Sequence, residues 1–120
     1  MKFTVFHINN SEKFQNAMYA SFMREESEQI GNPEVSLSEG FNAVANIEAE
    51  TLDQVYQMSN HIDGNWTENE GVELLADMFK TKEGVVMVRS TSVGDVIYCH
   101  EMRKAYQVAG CGFTNIDLVF

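Results

Sequence analysis

The stretch Val88-Arg89-Ser90-Thr91-Ser92-Val93-Gly94-Asp95-Val96-Ile97-Tyr98-Cys99 constrains the fold most. The apolar run Val85-Val86-Met87-Val88 leads into a polar cluster, and a second β-branched run starts at Asp95. That pattern is strand, polar turn, strand. Within the turn, Gly94 supplies backbone freedom and Asp95 can accept from the turn's own N–H groups. Up to Gly84 the apolar residues recur mainly at helical spacing; beyond it they follow an extended pattern.

The rest of the chain is expected to pack around this unit. Residues 2–8 are rich in Phe, Val and Ile and predict a first strand with both faces covered. Asn10 or Ser11 can cap a helix whose face is Phe14, Ala17, Met18, Ser21 and Phe22, with Gly31 and Pro33 at its stop. Phe41 to Ala49 predicts a second strand. Thr51-Leu52-Asp53-Gln54 is a capping box for a short helix with Leu52, Val55, Tyr56 and Ser59 on one face. Trp66 precedes a similar box, Thr67 to Glu70, and a third helix is predicted over 68–80, with Val72, Leu75 and Phe79 on one side. After the strand 95–99, His100 to Lys104 is a polar connector. Residues 105–110 pair back as a hairpin, Gly110-Cys111-Gly112 allows a bend, and Phe113 to Phe120 forms a last strand.

Charge narrows the function. The 120 residues carry a net charge of −10. No Lys or Arg lies between Arg24 and Lys80, whereas 13 Asp or Glu do. Direct binding of nucleic acid through its phosphates needs a basic surface, and this chain argues against it. The acidic middle is either a solvated face that maintains solubility or a surface aimed at a basic partner, with Glu68, Glu70 and Glu73 as its candidate residues. A third reading is a mimic of nucleic acid, which needs carboxylates in regular rows. No apolar run reaches the ~18 residues of a membrane span, and the apolar N-terminus is too short for a signal-peptide core. The expected location is the cytoplasm. There Cys99 and Cys111 read as buried thiols rather than a disulfide.

Few residues suggest chemistry. His7, His61, Cys99, His100 and Cys111 match no metal-ligand spacing, and neither cysteine has an evident activating setting. No metal, cofactor or catalytic residue is expected, and an enzyme is the lesser expectation. Arg89, Ser90 and Ser92 are the best polar cluster. They either contact an anion or ligand near Trp66, or serve the turn, with hydroxyls bonding to backbone and Arg89 pairing with a carboxylate. Trp66 is either a lid on the core or an exposed contact residue.

Arg89, Ser90, Ser92, Val93, Asp95, Val96 and Ile97, followed by Tyr106 and Val108 and then Gly112 and Phe113, resemble the YodL-like domains of phages and conjugative plasmids. Leu52-Asp53-Gln54-Val55-Tyr56 with Asn60 is similar to that family's upstream helix. The segment from Asp63 to Glu83 departs from the family's shorter spacing. The resemblance implies a mobile-element accessory protein and brings no catalytic residues with it.

The expected fold is therefore α+β in a single domain: a small, mainly antiparallel sheet of about five strands packed by two or three helices. The first strand is expected beside a C-terminal strand. The expected function is non-enzymatic contact between an acidic surface and an unknown protein partner. The alternative is a small-ligand site for a nucleotide or anion at Arg89, Ser90 and Ser92 near Trp66. The Leu118-Val119-Phe120 end is compatible with a homodimer.

Overall fold

The computed structural model describes residues 1–8, 34–37, 40–60, 66–75, 88–110 and 112–119. The strands are β1 (Lys2–Ile8), β2 (Glu34–Ser36), β3 (Phe41–Glu48), β4 (Val72–Leu74), β5 (Val96–Cys99), β6 (Lys104–Val108) and β7 (Phe113–Val119). They form one sheet in the order β2-β7-β6-β5-β1-β3-β4. All pairings are antiparallel except β2 with β7, which is parallel. One α-helix, α1 (Leu52–Met58), and a single 3-10 turn at Trp66–Glu68 are the helical elements among the described residues.

β1 is an interior strand of the sheet, between β3 and β5, so it does lie beside a strand of the C-terminal meander. Both its faces are covered. Phe3 and Val5 join Val44, Ile47, Val55, Trp66, Ile97 and Cys99 in the larger core cluster, beneath α1. Ile8 belongs to a smaller cluster on the opposite face with Phe41, Val96, Ala105 and Ile116. The register of β1 on β3 slips between Val5 and Phe6, where Val5 faces Ala45 and Phe6 faces Ala43. The extra residue is Val44. A bulge of this kind turns consecutive side chains to one side, and Val44 and Ala45 are both fully buried in the larger cluster. The Val44 carbonyl accepts from Leu75 N–H at 2.9 Å, which anchors the end of β4.

The Thr51 capping box forms as its sequence predicts. Gln54 N–H donates to Thr51 Oγ1 at 3.2 Å, and the Gln54 side chain reaches back to Glu50 N–H at 2.8 Å. Val55 and Ser59 are buried and Leu52 is half-buried. Tyr56 stays 36% exposed and meets the Phe113 ring edge-on, with centroids 6.4 Å apart.

Two expectations need correction. The sheet has seven strands rather than about five, because the three-residue strands β2 and β4 extend its two sides. One α-helix is seen among the described residues, and the expected first helix, from residue 10 onward, lies outside them. The predicted helix over 68–80 does not begin as one. The 3-10 turn stops at Glu68, Gly71 at φ +86° sits in the next turn, closed by Val72 N–H on Asn69 O, and Val72–Leu74 pairs with β3. Val72 and Leu74 are half-buried while Glu73 is exposed, which is strand alternation of period two. Residues 76–87 lie outside the described residues, and Val88 is buried but not in a strand.

Candidate functional site

The segment 88–95 is tied through its backbone to Trp66, the end of α1 and β6. Trp66, fully buried beneath it, donates its indole N–H to the carbonyls of Val88 and Arg89 at 3.0 and 3.1 Å. Thr91 N–H donates to the Ser59 carbonyl at the end of α1 at 2.9 Å. Gly94 N–H donates to Val108 O, and Val108 N–H returns a bond to Asp95 O, both at 2.8 Å. The buried Gln107 amide donates to Gly94 O at 3.0 Å. Ser92 to Asp95 closes a turn with Asp95 N–H on Ser92 O at 3.0 Å, and Gly94 at its third position has φ +95°. That is the position where a type II turn requires the left-handed region, which glycine enters without steric cost.

Asp95 is the hub. Its carboxylate is fully buried. Oδ1 accepts from the Ile8 N–H at 2.9 Å and Oδ2 from the Ser92 N–H at 2.8 Å. The Arg89 guanidinium closes on both oxygens, Nη1 to Oδ2 at 2.6 Å and Nη2 to Oδ1 at 2.7 Å. Nη2 also donates to the Ile8 carbonyl at 3.1 Å and Nη1 to the Ser90 carbonyl at 3.0 Å. One ion pair thus ties the polar turn to the end of β1, with the planar fork geometry that favours arginine over lysine.

His7 adjoins this pair. Its Nε2 lies 2.9 Å from Thr91 Oγ1 and 3.8 Å from Asp95 Oδ2, and its ring centroid is 6.1 Å from that of Trp66. Burial lowers the His7 pKa to about 4. Asp95 opposes that shift, and Arg89 adds to it. The imidazole is therefore neutral at pH 7, and the Thr91 hydroxyl serves as its hydrogen-bond partner.

Arg89, Ser90 and Ser92 therefore come together around Asp95, and Trp66 sits below them in the core. The turn chemistry expected of Asp95 is present. The contact of Arg89 with a carboxylate is present too, and the carboxylate is Asp95 itself. Ser92 contributes chiefly its backbone N–H; its hydroxyl reaches Ser90 O at only 3.4 Å. His7 and Thr91 were missed as neighbours. They are 84 residues apart, and no local pattern links them. Cys99 is a free, buried thiol, as expected, and Cys111 lies outside the described residues.

The acidic candidates lie elsewhere. Glu48 N–H donates to Gly71 O at 2.9 Å, which brings the end of β3 against the turn that carries Glu70. Asn46 faces Glu73 across β3 and β4. Glu48, Glu50, Asp53, Glu70 and Glu73 are all exposed in this region. The backbone of Glu68 lies in the adjoining 3-10 turn.

A second polar cluster lies on the face opposite α1. The Thr4 hydroxyl is 2.6 Å from both Asn46 Oδ1 and His100 Nε2, and the Tyr98 and His100 rings meet edge-on at 5.0 Å. Glu101 accepts the Lys2 N–H with both oxygens at 2.9 and 3.1 Å, a contact that lowers its pKa. Among the described residues no group of three or more His, Cys, Asp or Glu is placed to hold a metal, and no helix is long and apolar enough to cross a membrane. No family model, no curated protein and no solved structure matches the chain.

Proposed function

We propose that the protein is a non-enzymatic accessory protein of a phage or other mobile element that acts by contact with a basic protein partner through its acidic surface. The observation that carries this is the exposure of Glu48, Glu50, Asp53, Glu70 and Glu73 around the end of β3, the start of α1 and the turn before β4. Glu48 pairs with the amino group of Met1 at 3.2 Å, and the sequence from residue 25 to residue 79 holds no Lys or Arg beside the other four. A one-signed surface of this kind speeds encounter with a partner of opposite sign and discourages partners of the same sign. The mobile-element setting rests on the resemblance around residues 89–113.

The ligand reading at Arg89, Ser90 and Ser92 is the weaker one. The guanidinium is clamped by a buried carboxylate, so an anion there would compete with Asp95 for the same donors. The test of the acidic surface is a pull-down from host lysate with the wild-type chain and with Glu70→Gln/Glu73→Gln and Glu68→Gln/Glu70→Gln/Glu73→Gln variants. The expected result is a partner whose recovery falls with charge removal and with added salt. Recovery that is equal across the series would contradict the proposal.

A further inference from the structure

A pocket on the α1 side of the sheet joins the acidic surface to two aromatic rings. It measures about 220 Å³ and lies between α1 and the β6-β7 turn, lined by Asp53, Tyr56, Val108, Gly110, Gly112 and Phe113. The elements place these side chains together. Asp53 and Tyr56 are three residues apart on α1 and share a helix face. Val108 and Phe113 are partners across β6 and β7, and both pack with the larger core cluster, beneath α1. Gly112, at φ +78°, leaves the rim open: a Cβ there would meet nothing within 4 Å. Glu48 and Glu50, both exposed, lie just before α1, so the pocket continues the acidic surface.

The lining selects the chemistry of an occupant. The Tyr56 and Phe113 rings stand at 80° to each other, and aromatic faces attract a cation. Asp53 is exposed, and neither its carboxylate nor the Tyr56 hydroxyl has a hydrogen-bond or ion-pair partner among the described residues. No Lys or Arg is among the described lining residues, so an anion would find no countercharge there and would meet Asp53. The volume is below the roughly 300–1,000 Å³ of small-molecule sites and suits a single side chain. An arginine uses every feature: its planar head stacks on a ring, its two parallel donors match a carboxylate, and its stem covers apolar surface. Lysine, a compact and strongly hydrated point charge, matches the rings and the carboxylate less well.

We propose that this pocket receives an arginine side chain of the basic protein partner, with its guanidinium against Asp53 and the Tyr56 and Phe113 rings and its stem along Val108. The assignment rests on the acidic-surface reading and names the side chain that this surface seats.

The test is NMR titration of the isotopically labelled full chain with three acetylated and amidated tripeptides, which carry arginine, lysine or the uncharged citrulline between two glycines. The arginine peptide is expected to shift the amides of Asp53, Tyr56, Gly112 and Phe113, while those of Thr4 and Tyr98 on the opposite face stay in place. It should bind about threefold more tightly than either of the other two. Asp53→Asn and Tyr56→Leu, both at exposed positions, should each weaken it about threefold with the β1 amides unmoved. The proposal is overturned if the pocket amides do not shift, if citrulline binds as tightly as arginine, or if both variants bind like wild type. Lysine binding as tight as arginine would overturn the guanidinium assignment. The peptides need no native partner, so the two readings fail separately. A pull-down insensitive to the glutamate substitutions, with the arginine peptide still bound, contradicts the acidic-surface reading; a charge-dependent pull-down without peptide shifts contradicts the pocket.

Discussion

Replacing Asp95 with Asn keeps the side-chain shape and removes the charge. The carboxylate accepts four bonds: two from backbone N–H groups and two from Arg89. An amide has one acceptor oxygen, so its NH₂ must face either the Ile8 N–H with Nη2 or the Ser92 N–H with Nη1. Donor then meets donor at two of the four contacts. The Arg89 side chain is 40% exposed and can recover part of its hydration, so it is not a stranded charge. The backbone N–H groups are less able to do so, and the Ile8 contact is buried. An unsatisfied buried donor costs about 1–3 kcal/mol, and a lost charge-assisted bond a similar amount. Breaking a buried pair by removing one partner costs about 3–5 kcal/mol. With Arg89 partly solvated, the lower end applies, and the expected loss is about 3 kcal/mol. The assay is urea unfolding at pH 7, followed by the fluorescence of Trp66, the chain's sole tryptophan. The midpoint should fall with the slope unchanged. A loss below about 1 kcal/mol would refute the reasoning, because it would mean that the turn holds β1 without this carboxylate.

Other outcomes follow from the same geometry. Ser92→Ala should cost less than about 0.5 kcal/mol in the same assay, because the residue acts through its N–H and its hydroxyl bond is long. Gly94→Ala should cost more than about 1 kcal/mol, since φ +95° strains any residue with a Cβ. His7 takes up its proton only near pH 4 when folded, against 6.5 as its ordinary value. Between those values the unfolded chain binds more protons, so stability is fully present above about pH 6.5 and falls as the pH drops toward 4. The loss attributable to His7 is about 3 kcal/mol, and unfolding midpoints measured across pH 4–7 should show a flatter profile for His7→Gln than for wild type.

Long, locally determined elements were legible in the sequence. β1, β3 and β5 are apolar runs, β6 and β7 mix apolar and polar residues between turn signals, and α1 declares itself through Thr51 and Gln54. β4 was not legible, because Val72-x-x-Leu75 matches a helix as well as Val72-x-Leu74 matches a strand. The arbiter is the pairing with Ala45 and Ile47, which no local pattern records. β2 failed for the same reason: three residues find β7 some 80 positions along the chain.

At the site, the turn role of Asp95 was readable because its donors lie within three residues. Its grip on the Ile8 N–H, 87 residues away, was not. Arg89 had many carboxylates to choose from, and proximity in the fold selected the one that the turn already held. Lys104 read as part of a polar connector, whereas it opens β6 opposite Cys99, a pairing that its polar neighbours do not signal.

The central claim is that Arg89 and Asp95 act as one unit that fastens the polar turn to β1. A double-mutant cycle of Arg89→Gln and Asp95→Asn, read by urea unfolding, tests it most directly. Coupling of at least about 1.5 kcal/mol is predicted, with the second substitution costing much less once the first is present. Additivity within about 0.5 kcal/mol would contradict it.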